Sequence, residues 1–262
     1  MISHTEIERE MDSLYDAQNA KFRDGFTGKE DRIARQYEEF WHQSSAVVDV
    51  DAYLVGDLEH KYTKLPKWVQ TKTPFTGISR ETFRGSVLAD SPTVVIIGCM
   101  NSFDVAQYKG EPGKATMSMV HVLAIPKAGF YNGVSLTKGN VGIIEDMVMF
   151  FRRCWRDSNF QEAVLQHQLD AIDKRNKEYS DEEAHALALA HWNELKSLIG
   201  ILEDEDFGFG LHLYPDHSVS HLHMHIIAMP KWCRWYSTSE HDEKTVDALE
   251  LREWIRRRPN EV

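Results

Sequence analysis

Cysteine is scarce in this sequence of 262 residues, which holds only Cys99, Cys154 and Cys233. These three are widely spaced and form no CxxC pair, so neither a disulfide framework nor a cysteine-rich zinc module is indicated. With 15 glycines and 8 prolines, the chain also lacks the composition of collagen-like or low-complexity proteins. The composition is that of an ordinary globular protein.

Long apolar runs are absent as well. No stretch approaches the roughly 20 apolar residues that a membrane-spanning helix needs. The first residues, MISHTEIEREMDSLYD, are charged where a secretory signal requires an apolar segment. We therefore expect no membrane partner and a cytoplasmic location, with a nuclear location left open.

Basic side chains are fewer than acidic ones: the sequence has 30 Lys and Arg and 41 Asp and Glu, which gives a net charge of −11 at pH 7. A field of this sign repels the phosphate backbone of nucleic acids and disfavours them as the main partner. We expect instead a small-molecule substrate, either a nucleotide or another metabolite. The sequence sets no oligomeric state and leaves a homodimer open.

Strand-like segments fill two parts of the chain. β-Branched residues between polar breaks predict three strands in succession, which favours antiparallel pairing, and two further strands follow a helical region. The predicted strands are GSVLAD (85–90), TVVIIGCM (93–100), MSMVHVLAIPK (117–127), FGFGLHL (207–213) and SHLHMHIIAMP (220–230).

Helical patterns occupy residues 1–45, 141–200 and the C-terminal stretch EKTVDALELREWIRRR. In the middle region one apolar stripe is formed by Ile144, Val148, Phe151 and Trp155. Ser180 and Glu183 have the spacing of a capping box, and Gly200 is expected to end the helix that follows them.

The order of the predicted elements along the chain is strands, then helices, then strands again. This order predicts an α+β domain with an antiparallel sheet of about five strands. We expect an N-terminal extension over residues 1–84, helical at first and irregular over 62–84, where proline and glycine interrupt the chain. The main domain is expected over 85–245 with a helical insertion at about 141–200, and a helical tail over 246–262.

Histidine is concentrated in one place: five of the 13 histidines lie within 14 residues, at positions 212, 217, 221, 223 and 225. Strand side chains alternate between faces, so His221, His223 and His225 are predicted to share one surface. Leu222, Met224 and Ile226 would then enter the opposite face. Burying three imidazoles without hydrogen-bond partners would cost on the order of 1–3 kcal/mol each, which favours a chemical role over a structural one.

Two kinds of chemistry fit this surface. Neutral imidazoles can ligate zinc or iron, but no carboxylate follows the histidines before Glu240 to complete a common ligand set. Alternatively, one imidazole attacks phosphorus while its neighbours donate hydrogen bonds to the phosphoryl oxygens. The alternation of histidines along a strand places a nucleophile beside hydrogen-bond donors, so this second chemistry needs no metal.

The segment His221–Ile227 resembles the His-φ-His-φ-His-φ-φ signature of the histidine triad (HIT) superfamily of nucleotide hydrolases and transferases. VHVLAIPK (120–127) is similar to that superfamily's HxLVIPK strand, and TVVIIGCMNSFDV (93–105) lies where it has a strand and a nucleoside-contacting loop. The resemblance covers roughly residues 85–240. LHLYP before the triad and WCRWYSTSEHDEKT after it look more like the aprataxin and scavenger-decapping branch than the Hint type.

The resemblance implies a HIT-like antiparallel sheet with helices packed on it, no cofactor and no obligatory metal. His223 would be the nucleophile, with His221 and His225 orienting it and binding phosphate. Ser218 would donate to a phosphate oxygen, and His212 would assist the leaving group, although its connection to the triad is about two residues longer here.

Five other positions keep two interpretations each. Asp104 would bind ribose hydroxyls or form a turn, and Phe103 would stack on a base or lie in the core. Lys127 would contact phosphate or end a strand in solvent. His217 is an extra donor or a solvated side chain, and His121 is a core residue or a support for the triad.

The predicted function is hydrolysis or transfer at the α-phosphorus of a nucleotide conjugate. The family histidine after Pro126-Lys127 is missing here, which leaves open an alternative: acid–base chemistry on a small metabolite, such as dehydration, ring closure or a lyase reaction. A third alternative is a non-catalytic nucleotide-binding protein that uses its helical extension as an interaction surface.

Overall fold

The computed structural model describes residues 4–21, 26–47, 73–79, 81–83 and 86–259. Six strands form one antiparallel sheet in the spatial order β1-β2-β3-β5-β4-β6. The strands are β1 (Val87–Asp90), β2 (Val94–Gly98), β3 (His121–Pro126), β4 (Phe207–His212), β5 (Met224–Ala228) and β6 (Thr245–Asp247).

The α+β class and the antiparallel pairing of the first three strands are confirmed. The expected number of about five strands is one too low, because β6 lies in a stretch that the periodicity assigned to helix. Its three residues pair with the end of β4, with Thr245 opposite His212. A strand this short is specified by its neighbour in the sheet more than by its own sequence.

The helices flank and connect the strands. They are α1 (His4–Lys21), α2 (Glu30–Val47), α3 (Gly142–Trp155), α4 (Ser158–Tyr179), α5 (Glu182–Leu198), α6 (Lys231–Arg234) and α7 (Ala248–Arg257). Within the described residues, helices are therefore present in the regions expected at 1–45, 141–200 and the C-terminus, and the predicted stripe on α3 is buried. In the described part of the chain, no helix combines the length and the apolar character that a membrane span requires.

Two predicted helix boundaries are wrong by one or two residues. Ser180 does not open a capping box: it ends α4 in the left-handed conformation at φ 51°. Asp181 caps α5 instead, accepting a hydrogen bond from the backbone nitrogen of Ala184. α5 stops at Leu198, and Gly200 lies in the short 3₁₀ turn that follows. A two-residue connection between α4 and α5 makes the left-handed Ser180 necessary.

The two faces of the sheet are covered differently. The helices pack on one face, where alternate strand residues form the main apolar core; examples are Ile96 on β2, Val122 on β3, Phe209 on β4 and Met224 on β5. The opposite face carries His121, Leu123 and Ile125 of β3, His225 of β5 and His212 of β4. We call it the histidine face.

Residues that precede β1 in the sequence cover part of the histidine face. Phe75 and Ile78 pack against Val95, Ile97 and Ile125. The residues described between 73 and 83 are turns, as expected for an irregular connection, and the rest of the predicted 62–84 segment lies outside the described residues. At the other side Phe26 packs close to Gly210, where an added Cβ would approach its ring to 3.2 Å.

Candidate active site

The triad histidines occupy the end of a connection and the start of a strand. β5 begins at Met224, so the predicted strand is too long, and His221 and His223 lie in the extended segment just before it. The alternation is confirmed: Leu222, Met224 and Ile226 belong to the apolar core on the helix side. His221 and His223 are 5% and 8% exposed and lie under the ring of Phe75.

His225 is the centre of a cluster of imidazoles. Its ring centroid lies 4.3 Å from that of His212, 5.1 Å from that of His223 and 5.2 Å from that of His121. Strand pairing explains this closeness, because His225 is opposite Leu123 on one side and Gly210 on the other. Gly210 allows close packing at this point, because a Cβ there would lie only 2.4 Å from the Cγ2 atom of Thr245. The sheet therefore collects histidines from three strands.

Backbone hydrogen bonds determine which ring nitrogen carries the proton in this cluster. The backbone N–H of Met117 donates to Nδ1 of His121 at 3.3 Å, so a neutral His121 is protonated at Nε2. That Nε2–H donates to Nδ1 of His225 at 3.0 Å. A neutral His225 is then protonated at Nε2, and this buried N–H has no partner among the described residues. His225 therefore presents an unsatisfied hydrogen-bond donor within the cluster.

His223 has the complementary orientation. Its Nδ1–H donates to the backbone carbonyl of His221 at 2.8 Å, so the lone pair of a neutral ring resides on Nε2. No hydrogen bond to Nε2 is found within the described ranges. His221 is fixed in turn by donation from its Nε2 to the carbonyl oxygen of Pro126 at 2.9 Å. One imidazole thus offers a free base beside another that offers a free donor.

Burial keeps these rings neutral at physiological pH. Loss of hydration lowers the pKa of His223 to about 4 and that of His121 to about 3, and it lowers the pKa of His225 well below its ordinary value. Burial also lowers the pKa values of His221 and His217. Neutral imidazoles can act as nucleophiles and bases, but they hold no extra proton to give as acids.

His212 lies in the cluster, but the proton on its Nε2 is already donated to a neighbouring residue. The hydroxyl of Thr245 donates to the backbone carbonyl of His241 at 2.7 Å, so its oxygen accepts the Nε2–H of His212 at 3.0 Å. Burial, followed by the charge of Lys244, lowers the pKa of His212 to about 2. Lys244 itself forms no ion pair among the described residues. It leaves a positive charge beside the histidines.

Sequence reasoning missed two residues of this site and left a third undecided. His121 had two interpretations, and its contact with His225 supports the triad-supporting one. His241 and Phe75 were not predicted to take part. The His241 ring lies 6.0 Å from that of His212, and its Nε2 donates to the carbonyl oxygen of Gly113 at 2.9 Å. Both residues reach the histidine face through loops whose course no periodicity describes.

The N-terminal helix α2 holds two loops of the site in place. Arg32 and Gln36 both donate to a carboxylate oxygen of Asp216, at 2.7 and 2.8 Å, in the connection before the triad. The ammonium of Lys29, just ahead of α2, donates to backbone carbonyls of the loop that leads into β6, at positions 242, 243 and 245. The extension therefore contributes to the geometry of the site.

Ser218 and His217 occupy the connection between β4 and β5. Ser218 is exposed and has no hydrogen bond within the described ranges, so its side chain is available but not oriented. His217 is half-buried: its Nε2 lies 3.0 Å from the hydroxyl of Tyr131 and 3.4 Å from that of Ser220. His217 is therefore a packed side chain, while its Nδ1 remains without a partner among the described residues.

The remaining predicted binding residues lie in other surroundings. Asp104 is buried, accepts the backbone N–H of Ala106 at 2.9 Å and contacts Nδ1 of His191 at 2.6 Å, which fits the turn-forming interpretation. Phe103 is fully buried in the apolar core. Lys127 is exposed and forms an ion pair with Asp90 at 2.5 Å. None of the contacts found for these three side chains reaches the histidine cluster.

No group of three or more His, Cys, Asp or Glu side chains within the described ranges is arranged to hold a metal ion. Comparisons with family models, curated proteins and solved structures give no significant match to this chain.

Proposed function

We propose that the histidine face is the active site of a HIT-like nucleotide hydrolase or transferase. In this proposal His223 attacks the α-phosphorus of a nucleotide conjugate. A bond forms between Nε2 and phosphorus, while the bond from phosphorus to the leaving group breaks and the leaving group departs with the electron pair. Water, or another acceptor with a hydroxyl group, then forms a bond to phosphorus and loses its proton to solvent. The bond from phosphorus to Nε2 breaks, which releases the nucleotide and restores the neutral imidazole.

The orientation of His223 carries the proposal. Donation from Nδ1 to the carbonyl of His221 at 2.8 Å directs the Nε2 lone pair away from the backbone. The low pKa means that no proton has to leave this ring before it attacks at pH 7. The backbone carbonyl also stabilises the positive charge that the imidazole acquires once phosphorus is bound.

Two neighbouring groups suit the negative charge of a phosphoryl group. The unpartnered Nε2–H of His225 can donate to a phosphoryl oxygen, and a fixed donor of this kind typically contributes on the order of 10²–10³ in rate. The charge of Lys244 favours an anion beside His212. Both act locally against the net charge of −11, so the overall field does not prevent phosphate binding.

Acid–base chemistry on a small metabolite is the competing proposal, and the closely packed imidazoles are the observation that favours it. Proton transfer between adjacent rings needs contacts such as the 3.0 Å distance between His121 and His225. However, the lowered pKa values mean that no member of this pair holds an extra proton at pH 7. Nucleophilic chemistry therefore fits the cluster better than general acid catalysis.

The decisive experiment compares the parent protein with His223→Asn. Asparagine can still donate to the carbonyl of His221 but has no nucleophilic nitrogen. We expect turnover of the correct nucleotide conjugate to fall by about 10³-fold or more. Substrates to screen are an adenosine phosphoramidate, a dinucleoside polyphosphate and a cap-like dinucleotide, with intact-mass spectrometry to detect a nucleotidyl adduct. His185→Asn is the matched control, because His185 contacts Asp173 between α4 and α5.

The outcomes separate the three functions. Undiminished turnover by His223→Asn would refute the nucleophile. Turnover of a non-nucleotide substrate without any adduct would support acid–base chemistry, and tight nucleotide binding without turnover would support the non-catalytic alternative. As a second readout, the acid limb of kcat/KM should lie near pH 4, where His223 becomes protonated, rather than near 6.5.

A further inference from the structure

A positively charged groove lies outside the histidine face, between α4 and the loop that follows β2. Its volume is about 110 Å³, and its lining includes Lys114, Lys174 and Arg175 but only one carboxylate, that of Glu178. Three cations and one carboxylate give the lining an excess of positive charge, in a chain whose net charge is −11. A groove of this size accommodates a group as large as phosphate.

The guanidinium of Arg175 is held between two tyrosine rings. Its central carbon lies 4.1 Å from the ring centroid of Tyr108 and 3.5 Å from that of Tyr179. Its Nε donates to the backbone carbonyl of Gln107 at 3.0 Å. Stacking and this hydrogen bond together fix the plane of the group, so little side-chain entropy remains to be lost when an anion binds.

The outer nitrogens of Arg175 are left for a ligand. Within the described ranges, neither Nη atom forms a hydrogen bond or an ion pair, and neither is completely buried. A planar guanidinium with two free N–H donors matches the geometry of a phosphate or carboxylate. Lys174, for which the described part of the chain provides no ion pair, adds an ammonium next to it, whereas Lys114 is shared with Glu111 at 2.7 Å.

Apolar surface adjoins this charge. Met100 and Tyr179 line the groove and are 46% and 58% exposed, which makes them two of the few large apolar side chains left in solvent among the described residues. A bare inorganic ion would leave both uncovered. A molecule with a phosphate at one end and an aromatic or apolar body at the other would cover them and reach Arg175.

We propose that this groove is a second binding site, specific for organic phosphate monoesters, with Arg175 as its central residue. The phosphate accepts hydrogen bonds from the two Nη atoms of Arg175 and is neutralised by Lys174. The body of the ligand packs on Tyr179 and Met100. The inference does not rest on the function proposed for the histidine face, because none of the contacts found for Arg175 involves that cluster.

Calorimetric titration of the full chain with phenyl phosphate tests the proposal, with phenol and inorganic phosphate as partial ligands. We expect phenyl phosphate to bind more tightly than either. Arg175→Gln should weaken its binding about tenfold to a hundredfold, as expected for the loss of hydrogen bonds to a charged group. Arg175→Lys keeps the charge but loses the two-pronged donor, and should weaken binding about tenfold.

Arg153→Gln is the matched control, since Arg153 is exposed and also lies over an aromatic ring, that of Phe150. It should bind like the parent protein, as should His223→Asn. Binding that survives Arg175→Lys and Arg175→Gln, or that disappears in His223→Asn, would overturn the site. Equal affinity for inorganic phosphate and phenyl phosphate would also overturn it, because the groove would then hold an adventitious ion only. If Arg175→Gln does not fold, as judged by its Tm, Arg175→Lys and Lys174→Gln decide the matter.

Discussion

The two faces of the central sheet have opposite chemistry although they share the same strands. On the helix side, residues such as Phe151 and Phe209 are fully buried in one continuous apolar core. On the histidine face, imidazoles from β3, β4 and β5 pack against one another, and Phe75 covers His221 and His223 just before β5. Apolar burial stabilises the first face at any pH, whereas the second is stable only while its rings remain neutral. The two faces therefore differ in how their stability depends on pH.

Acid should expose this difference most strongly. Four histidines have pKa values below the ordinary 6.5 in the folded protein: His121, His212, His223 and His225. Their full contribution to the free energy of unfolding is therefore present above pH 6.5 and is lost as the pH falls below it. Each such group removes about 1 kcal/mol of unfolding free energy between pH 6 and pH 5, and the four together roughly 4–5 kcal/mol. Urea unfolding at both pH values measures this loss.

A variant that removes one of these rings sharpens the test. His121→Asn should be less stable than the parent at pH 7, because the donor to His225 is gone. Its unfolding free energy should fall less steeply below pH 6, because only three of the four buried histidines then remain to be protonated. The control His185→Asn should keep the parent slope. A parent protein equally stable at pH 7 and pH 5 would contradict the burial of neutral imidazoles.

Truncating one phenylalanine on each face compares their packing. Phe151→Ala, in the helix-side core, should cost about 3–5 kcal/mol. Phe75→Ala should cost less than half of this, because the short segment 73–79 can separate from the sheet without unfolding the core. The same change hydrates His223 and should move the acid limb of activity above pH 4. Equal losses of stability, measured by urea unfolding at pH 7, would show that the two faces unfold as one unit.

Asp247, at the end of β6, should respond to pH in the opposite direction to the histidines. Burial raises its pKa to about 7, while it accepts hydrogen bonds from the backbone nitrogens of Leu249 and Glu250 at the start of α7. A raised pKa for an acid gives stability that is complete below about pH 4, where the unfolded carboxyl is also protonated, and that is lost as pH rises through 7.

The substitution Asp247→Asn tests this response, because it keeps an acceptor for the helix cap and removes the titration. The stability of Asp247→Asn relative to the parent should be about 1 kcal/mol more favourable at pH 8 than at pH 6. Urea unfolding at the two pH values measures it. Asp157→Asn, at the exposed cap of α4, should show no such change. A difference from the parent that does not vary with pH would mean that Asp247 is ionised throughout.

Local sequence patterns predicted much of the fold. Strand periodicity located five of the six strands, and helical periodicity located the three long helices after residue 141. Errors occurred where a neighbour outweighed local preference: β6 exists because it pairs with β4, and Ser180 is left-handed because α4 and α5 are almost continuous. The triad was found because an alternation of two residues is a local property of an extended chain.

The sequence by itself determined that three histidines alternate with apolar residues and that the chain carries excess negative charge. Only the tertiary structure decided which groups surround those histidines and which nitrogen of each ring is free. His121 and His225 are 104 positions apart, and they meet because β3 and β5 pair in one register. Such contacts depend on the pairing of distant strands and on the course of loops, which no local periodicity encodes.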